Sequence, residues 1–325
     1  MVARIVVVAE YRQKPSEGMQ VVSKTLVDAL REAGHGVSVI EPRRLARSLW
    51  SLLRTRPDVV LFTHGPGLGV VTYSRLLRKL LRARIIWVAP RPDLMAIPRW
   101  LQDRRTAHTV LCNRRRRDLE TVAPDAEFIE QFVGIDPARL ASDIEEECPW
   151  PELSATGRPV LLHVGHLKRN RGLDVLAAVK RSMGDQIEIV VQGGPALPPD
   201  GGVVEELESA GVWVRRSFEP NLGRLYKAAD LYVFPLEETS AGAIELPLSV
   251  LEAVACGTPV LTTDFGVLKQ ALGAVPGVTF CGQAEFLPAL RALLDADGLR
   301  VRPQGLPHHL HAARTTEAVL QIVAQ

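Results

Sequence analysis

The chain has 325 residues, which is long for a single domain and suits two domains of roughly 150 residues each. Apolar residues make up 46% of it and charged residues 23%, so each domain can bury a core, and low-complexity segments are absent. The four cysteines, Cys112, Cys148, Cys256 and Cys281, have no paired spacing and no clustered histidines beside them. This pattern argues against a zinc site and a disulfide framework, and it favours a reducing cytosol.

The net charge of +2 hides an uneven distribution of charged residues. Residues 1–142 carry 24 basic and 14 acidic side chains, a balance of +10, whereas residues 143–325 carry 15 and 23, a balance of −8. A basic half joined to an acidic half indicates that the first half meets an anionic partner. Neither an aromatic stacking platform nor a recognition motif accompanies the basic residues, so we expect no nucleic-acid partner.

The first half of the chain alternates short apolar runs with helical patterns. The opening run Ile5–Ala9 is too short for a signal peptide or a membrane span and is expected to be the first strand. This alternation predicts a parallel sheet covered by helices on both faces. The predicted strands are Arg4–Ala9, Gly36–Ile40, Asp58–Thr63, Arg84–Ala89, His108–Cys112 and Glu127–Phe132. The predicted helices are Val21–Ala33, Arg43–Arg54, Leu68–Arg82, Met95–Arg105 and Arg114–Thr121.

Prolines, a glycine and small polar residues mark a linker over residues 147–159, after which the alternation restarts. We therefore predict one domain over residues 1–146 and a second over 160–325, with the closing helix Thr316–Ala324 able to pack back on the first domain. The predicted architecture is α/β, with two doubly wound, Rossmann-like domains facing across a cleft. The predicted strands of the second half are Val160–Val164, Ile187–Gln192, Val212–Arg215, Leu231–Pro235, Val260–Thr263 and Val278–Cys281.

Residues 226–263 are the most informative stretch, because they predict a strand, a polar loop, a helix opening at Pro247–Glu252 and a second strand. A helix N-terminus at the carboxyl end of a strand favours phosphate, so the N–H groups of Leu248, Ser249 and Val250 are candidates to hold one. One turn further into the helix, Glu252 can accept hydrogen bonds from ribose hydroxyls. Amides that hold phosphate and a carboxylate that holds ribose together predict a nucleotide-sugar site. The same residues also form a capping box, with Ser249 at the N-cap and Glu252 at N3, and both interpretations stay open.

Five segments stand in an order and at a spacing that carry a resemblance. They are Ser16-Glu17-Gly18 with the later Gly34–Val37, then Phe132–Pro137, then His163–Leu167 followed by Arg171-Gly172, then Val191–Pro195, and finally residues 226–263. Each segment is weak evidence alone, but over nearly its whole length the chain resembles the family 4 glycosyltransferases of the GT-B fold.

The resemblance implies transfer of a sugar from a nucleotide diphosphate sugar to an acceptor hydroxyl, with retention of configuration and without a metal or other cofactor. It implies that Arg171 and Lys168 stabilise the departing diphosphate, and that Glu245 stands near the family's first conserved acid. The acceptor would be a carbohydrate, an anionic glycan or a lipid-linked molecule. The residues implied in donor binding are Gly18, Gly165, His166, Gly193, Leu248, Ser249, Val250 and Glu252.

The chain departs from the family pattern at several positions. Eight residues before Glu252, where the family often has a glutamate, stands Ile244; Glu245, Glu237 or Glu238 could take that role, or none does. The family's basic pair becomes His166 and Arg171, with Lys168 and Arg169 close enough to substitute. His166 would be only partly cationic at neutral pH unless a phosphate raises its pKa. A protein that keeps the fold and binds nucleotide sugars without catalysis is therefore the alternative.

Two further patterns have competing interpretations. Asp295-Ala296-Asp297 could bind a metal, but its position after a helical pattern favours a helix C-terminal turn. The arginine-rich helices Arg43–Arg54 and Arg75–Arg82 are either core-facing helices with a basic outer face or surfaces for an anionic membrane. We expect a cytoplasmic protein, peripheral on the inner face of the cell membrane if the membrane interpretation holds.

Overall fold

The computed structural model describes residues 2–13, 15, 18–44, 47–65, 67–81, 83–88, 108–111, 120, 124, 126–141, 148–194, 197–236 and 245–325. The chain divides into two compact units. The first unit contains Met1–Gly134, Ile244–Leu246 and His308–Gln325, and the second contains Ile135–Ala243 and Pro247–Pro307.

The first unit is built on a six-stranded parallel sheet in the order β2-β1-β3-β4-β5-β6. Each of the six predicted strands of the first half is present, and β1 and β3 are buried almost throughout because helices cover both faces. The strands are β1 (Arg4–Val8), β2 (Gly36–Ile40), β3 (Val59–Phe62), β4 (Arg84–Val88), β5 (His108–Leu111) and β6 (Glu127–Ile129). The helices are α1 (Gly18–Glu32), α2 (Leu49–Thr55) and α3 (Leu68–Leu81).

The predicted helix over Arg43–Arg54 has the wrong bounds. Pro42–Arg44 forms a 3-10 turn, and α2 begins only at Leu49, ending where Arg56 takes a left-handed conformation with φ +43°. Leu52 is the residue of α2 that is fully buried, so the apolar face that holds this helix in place is short. The predicted helices over residues 95–105 and 114–121 lie outside the described residues, apart from Glu120.

The last helix, α11 (Ala312–Ala324), belongs to the first unit, and it begins four residues before the predicted Thr316. Its Thr315 hydroxyl donates to the carbonyl oxygen of Phe132 over 3.0 Å and accepts from the Gly134 amide over 3.1 Å. The Arg84 guanidinium donates to the Ile322 carbonyl oxygen. These bonds attach the C-terminal helix to the sheet of the first unit.

The second unit also has a six-stranded parallel sheet, in the order β12-β11-β10-β7-β8-β9. All six strands predicted for the second half are present. They are β7 (Val160–Gly165), β8 (Glu188–Gly193), β9 (Trp213–Arg215), β10 (Leu231–Phe234), β11 (Val260–Thr263) and β12 (Val278–Cys281). The helices are α4 (Pro151–Ser154), α5 (Leu173–Met183), α6 (Val203–Ser209), α7 (Leu222–Ala228), α8 (Leu248–Ala255), α9 (Leu268–Leu272) and α10 (Phe286–Asp295).

The second unit begins at Ile135, ahead of the linker predicted over residues 147–159. The reason is a close contact: a β-carbon on Gly223 of α7 would lie 2.1 Å from the carbonyl oxygen of Leu140. Residues 135–141 therefore pack on helices of the second unit. Within the predicted linker, Trp150 and Leu153 are buried, and Leu153 belongs to the short helix α4.

The strand order of the second sheet reverses between β7 and β10. From β7 the chain proceeds outward through β8 and β9, and it then returns to β10 on the other side and continues through β11 and β12. In such a sheet the loops after the two central strands leave in opposite directions, so a crevice opens at their carboxyl ends. Two parallel sheets of this kind confirm the predicted doubly wound α/β fold. None of the helices in the described part of the chain is long and apolar enough to cross a membrane.

Candidate functional site

The loop that follows β7 lies against the end of β10. Gly172, the last residue of this loop, has φ +70°, and a β-carbon there would lie 2.4 Å from the Pro235 carbonyl oxygen. Both the left-handed backbone and the close approach require glycine at this position. The carboxyl ends of the two central strands therefore meet through residues 166–172 and Pro235, which places this loop at the reversal point of the sheet.

Lys168 and Arg169 of this loop are engaged by acidic side chains. Lys168 Nζ donates to Asp200 Oδ1 over 2.8 Å, and this contact lowers the pKa of the Asp200 carboxyl. The Arg169 guanidinium pairs with Glu206 of α6 over 3.3 Å and donates to the Gly201 carbonyl oxygen over 3.0 Å. A diphosphate would have to compete with Asp200 for Lys168, which was predicted to act on the leaving group.

A recess of about 200 Å³ lies between α5 and α6, beside this ion pair. Arg169, Leu173 and Glu206 are among the side chains that line it. None of the residues implied in donor binding contributes to its wall, so we do not assign the donor to it.

The positive charge of Arg171 lowers the pKa of two histidines, His163 and His166. His166 is more than half-buried, and its pKa is lowered first by that burial and then by the charges of Arg171 and Lys168. Its Nδ1 atom is buried and has no hydrogen-bond partner among the described residues. His166 is therefore neutral at neutral pH, and it can offer a bound anion one N–H group but no positive charge.

His163, the first residue of the segment His163–Leu167, lies beneath the loop and was given no role of its own from the sequence. Its side chain is 1% exposed, lies between the rings of Tyr232 and Phe234 of β10, and donates from Nδ1 to the Val233 carbonyl oxygen over 3.0 Å. Burial lowers its pKa to about 4. A β-carbon on Gly165 would lie 3.1 Å from His163 Nε2, so glycine at the end of β7 accommodates the imidazole.

Gly193, at the end of β8, is opposite Gly165 in the register of the two strands. A β-carbon on Gly193 would lie 2.8 Å from Leu167 Cδ1 and 3.3 Å from the Arg215 carbonyl oxygen. This glycine therefore lets the loop after β7 pack closely over β8. The contacts with Leu167 and Arg215 explain why a glycine packs here, and the role of Gly193 in donor binding stays a prediction.

Helix α8 begins at Leu248 with Pro247 at its N-cap, so the capping-box interpretation is wrong. Ser249 is the second helical residue, and its hydroxyl hydrogen-bonds to the Tyr232 hydroxyl instead of capping the helix. Of the three amides predicted to hold phosphate, that of Val250 donates to the Pro247 carbonyl oxygen over 3.2 Å. The amides of Leu248 and Ser249 remain as candidates for an anion at this helix end.

Glu252 is buried one turn into α8 and contacts two side chains that the sequence did not reveal. Its Oε1 atom accepts from Arg139 Nη2 over 2.7 Å, and its Oε2 atom accepts from the Tyr226 hydroxyl over 2.8 Å. Burial raises the pKa of the Glu252 carboxyl, while Arg139 and Tyr226 act in the opposite direction. Arg139 follows the segment Phe132–Pro137 by two positions, which is the nearest signal that the sequence held.

The remaining predicted site residues belong to the first unit. Gly18 is the first residue of α1, and Glu245 lies in the short segment Ile244–Leu246. Gly18 and Glu245 are therefore not part of the group formed by residues 165–172 and the start of α8. The roles implied for Gly18 and Glu245 stay predictions.

No group of three or more His, Cys, Asp or Glu side chains within the described ranges could hold a metal ion. Asp295 is the last residue of α10, and Asp297 has φ +52° and pairs with Arg300 over 3.3 Å. Both positions fit the interpretation of this acidic pair as a helix end.

The second unit matches a known protein family. The family described as glycosyl transferases group 1 matches residues 158–296. The D-inositol 3-phosphate glycosyltransferase of Nocardia farcinica is 31% identical over 188 residues, which cover 51% of this chain and 40% of that protein. The protein of the same name from Rhodococcus erythropolis is 29% identical over 173 residues, covering 46% of this chain and 38% of its own length. The chain thus spans about two fifths of the length of these relatives.

Solved structures share the fold over the whole chain. A sucrose-phosphate synthase from Thermosynechococcus elongatus superposes with a TM-score of 0.73 at 13% identity, covering 99% of this chain and 98% of that one. Anabaena Alr3699/HepE, solved in complex with UDP and glucose, superposes with a TM-score of 0.71 at 12% identity and covers 99% of both chains. These likenesses confirm the GT-B fold. The match to the glycosyl transferases group 1 family is confined to residues 158–296, whereas the likeness of fold extends over the whole chain.

Proposed function

We propose that the protein is a glycosyltransferase that moves a sugar from a nucleotide diphosphate sugar to an acceptor hydroxyl. The observation that carries this proposal is the match of the glycosyl transferases group 1 family to the unit whose sheet reverses at β7 and β10. A ligand in such a unit binds at the carboxyl ends of the two central strands. That edge holds the loop 166–172, and α8 is the next described helix after β10 in the chain.

The donor is proposed as a nucleotide diphosphate sugar because a structural neighbour, Anabaena Alr3699/HepE, was solved with UDP-glucose. Arg171 and the free amides at the start of α8 are proposed to hold the diphosphate, through a guanidinium fork and a helix N-terminus. Glu252 is proposed to accept hydrogen bonds from the ribose. UDP is the first probe to use.

In the proposed reaction the bond between the anomeric carbon and the diphosphate oxygen breaks, and a bond to the acceptor oxygen forms. The acceptor proton leaves with the diphosphate, on which negative charge accumulates. Fixed positive groups aimed at that charge lower the barrier, and Arg171 is proposed for this task. Lys168 would assist after giving up Asp200. Retention of configuration is proposed from the family resemblance.

An anionic acceptor or an anionic membrane surface is proposed for the first unit. The relatives carry D-inositol 3-phosphate in their names, a phosphorylated and therefore anionic molecule. On the first unit, Trp50 of α2 is 76% exposed, and the neighbouring Arg43, Arg47 and Arg54 are exposed as well. An exposed tryptophan among arginines is typical of contact with a lipid interface. In α3, by contrast, Arg75 and Arg78 are half-buried.

A nucleotide-sugar-binding protein without catalytic activity is the second candidate. Lys168 is held by Asp200, and His166 lacks the positive charge of the family's basic pair. Slow hydrolysis of the donor in the absence of acceptor separates the two functions, because a catalytically competent site transfers the sugar to water. Binding without any hydrolysis or transfer would favour the second candidate.

Thermal unfolding with UDP, GDP, ADP and their glucose and mannose conjugates tests the proposed donor site, because a ligand of the folded state raises the melting temperature. Arg171→Ala should weaken binding of the active nucleotide by roughly 1.5–3 kcal/mol, the range for hydrogen bonds to a charged group. Arg169→Ala is the matched control, since its guanidinium is committed to Glu206 and Gly201. Equal effects of the two substitutions, or no stabilisation by any nucleotide, would contradict the proposal.

A further inference from the structure

Glu252 lies at the centre of a buried polar network that joins three elements of the second unit. The carboxylate is on α8, the Tyr226 hydroxyl that donates to it is on α7, and the Arg139 guanidinium comes from the 3-10 turn Pro137–Leu140. Glu252 is 4% exposed, so its partners are fixed by the protein and not by water.

The frame around Glu252 is held independently of the carboxylate. Asp136 accepts from the Ala138 amide over 3.0 Å and caps the turn that carries Arg139, and the Leu140 carbonyl oxygen fills the space where Gly223 has no side chain. Tyr226 is fixed from its other side, because the Thr258 hydroxyl donates to its carbonyl oxygen over 2.7 Å. Arg139 and Tyr226 are thus placed before any ligand binds.

The charge balance around Glu252 depends on Arg139. Besides Arg139 and Tyr226, the ionisable groups coupled to Glu252 in the described structure are Tyr232 of β10 and Cys256 at the end of α8, whose pKa values the Glu252 charge raises. Burial raises the pKa of Tyr232 far above neutrality and that of Cys256 to about 11, so both are uncharged at neutral pH. Arg139 is therefore the charge that opposes protonation of a buried carboxyl.

An ionised carboxylate has about four acceptor positions, and Arg139 and Tyr226 occupy one on each oxygen. A neighbouring pair of ribose hydroxyls needs acceptors, whereas a protonated carboxyl would turn one oxygen into a donor. We propose that Arg139 and Tyr226 are positioning residues that keep Glu252 ionised and oriented, with its remaining acceptor positions available to the two ribose hydroxyls of the donor. This inference rests on the proposed function, because it assigns the ribose to Glu252.

Binding of UDP and of pyrophosphate, measured by calorimetry from pH 6 to pH 8.5, tests the role of Arg139. Pyrophosphate lacks the ribose and reports on the phosphate contacts alone. In Arg139→Met, UDP affinity should fall as the pH falls, by up to about tenfold for each pH unit below the pKa that Glu252 then has. The ratio of UDP affinity to pyrophosphate affinity should be constant with pH in the wild type and should decline in this variant.

Three further variants separate positioning from folding. Arg139→Lys keeps the positive charge and should restore the pH-independent ratio. Glu252→Gln cannot titrate, so its UDP affinity should be low at every pH, and adding Arg139→Met to it should introduce no pH dependence. Tyr226→Phe removes one hydrogen bond without leaving a large cavity, and it should show a weaker form of the Arg139→Met profile.

The outcomes distinguish the inference from the proposed function. If the wild type binds UDP and Arg139→Met lowers its affinity by the same factor at every pH, Arg139 has a structural role only and the inference is wrong. If Glu252→Gln weakens UDP and pyrophosphate equally, Glu252 does not bind ribose and the inference is also wrong. If the wild type binds none of UDP, GDP and ADP, the proposed donor site itself fails and the inference falls with it.

Discussion

The buried imidazole of His163 makes a quantitative prediction about stability and pH. Its pKa is lowered from 6.5 to about 4, chiefly because burial among aromatic rings disfavours the charged form. In the unfolded chain the same group takes up a proton near pH 6.5. The stability that comes from keeping His163 neutral is therefore fully present above pH 6.5, and it is lost as the pH falls from 6.5 towards 4.

The size of this effect follows from the two pKa values. Each pH unit between them corresponds to about 1.4 kcal/mol, so protonation linked to His163 removes roughly 3 kcal/mol of unfolding free energy by pH 4. In His163→Phe the ring can remain between Tyr232 and Phe234, and the titrating group is gone. We expect this variant to lose less stability than the wild type between pH 7 and pH 4, by a margin of roughly 3 kcal/mol.

Urea unfolding at several pH values, followed by circular dichroism, measures this difference. Phe234→Leu is a suitable control, because it disturbs the same packing without adding or removing a titrating group, so its loss of stability should be similar at pH 7 and pH 4.5. Parallel stability curves for the wild type and His163→Phe across this range would refute the assignment of a neutral, buried His163.

Three other predictions concern the loop after β7, the need for a metal, and the arginines of the first unit. Gly172→Ala should destabilise the second unit by at least about 1–2 kcal/mol in urea unfolding. The residue has a left-handed backbone, and the new methyl group would meet the Pro235 carbonyl oxygen. Gly201→Ala is the control and should cost much less, because the space around Gly201 is open. Sugar transfer should persist in EDTA, because Arg171 and the start of α8 are proposed to meet the phosphate charge; activity that returns only with magnesium or manganese would overturn this mechanism. Replacing Arg43, Arg47 and Arg54 with glutamate should abolish salt-sensitive flotation with anionic vesicles while UDP binding is unchanged. If the wild-type protein does not bind anionic vesicles at low salt, a soluble acceptor is favoured.

Much of the fold could be predicted from local sequence. Apolar runs such as Val59–Phe62 are buried on both faces of a parallel sheet, so they carry no polar alternation, and the twelve predicted strands are all present in the two sheets. The bounds of α2 were predicted less well, because a single buried leucine, Leu52, gives little periodic signal. The division into units at Ile135 reflects how Leu140 packs against Gly223, a long-range contact that linker composition does not encode.

The sequence by itself determined the alternation of strands and helices, and it predicted a nucleotide-sugar site over residues 226–263. Only the tertiary structure decided whether Glu252 belongs to a capping box and which side chains contact it. The pattern from Ser249 to Glu252 satisfies a capping box as well as a ligand site, and a local pattern cannot separate two uses of the same hydrogen-bonding groups. Pro247 at the N-cap of α8 excludes the capping box. Arg139, 113 positions away in the chain, and Tyr226 contact Glu252, because a buried carboxylate is stable where folding brings a positive charge and a hydroxyl to it.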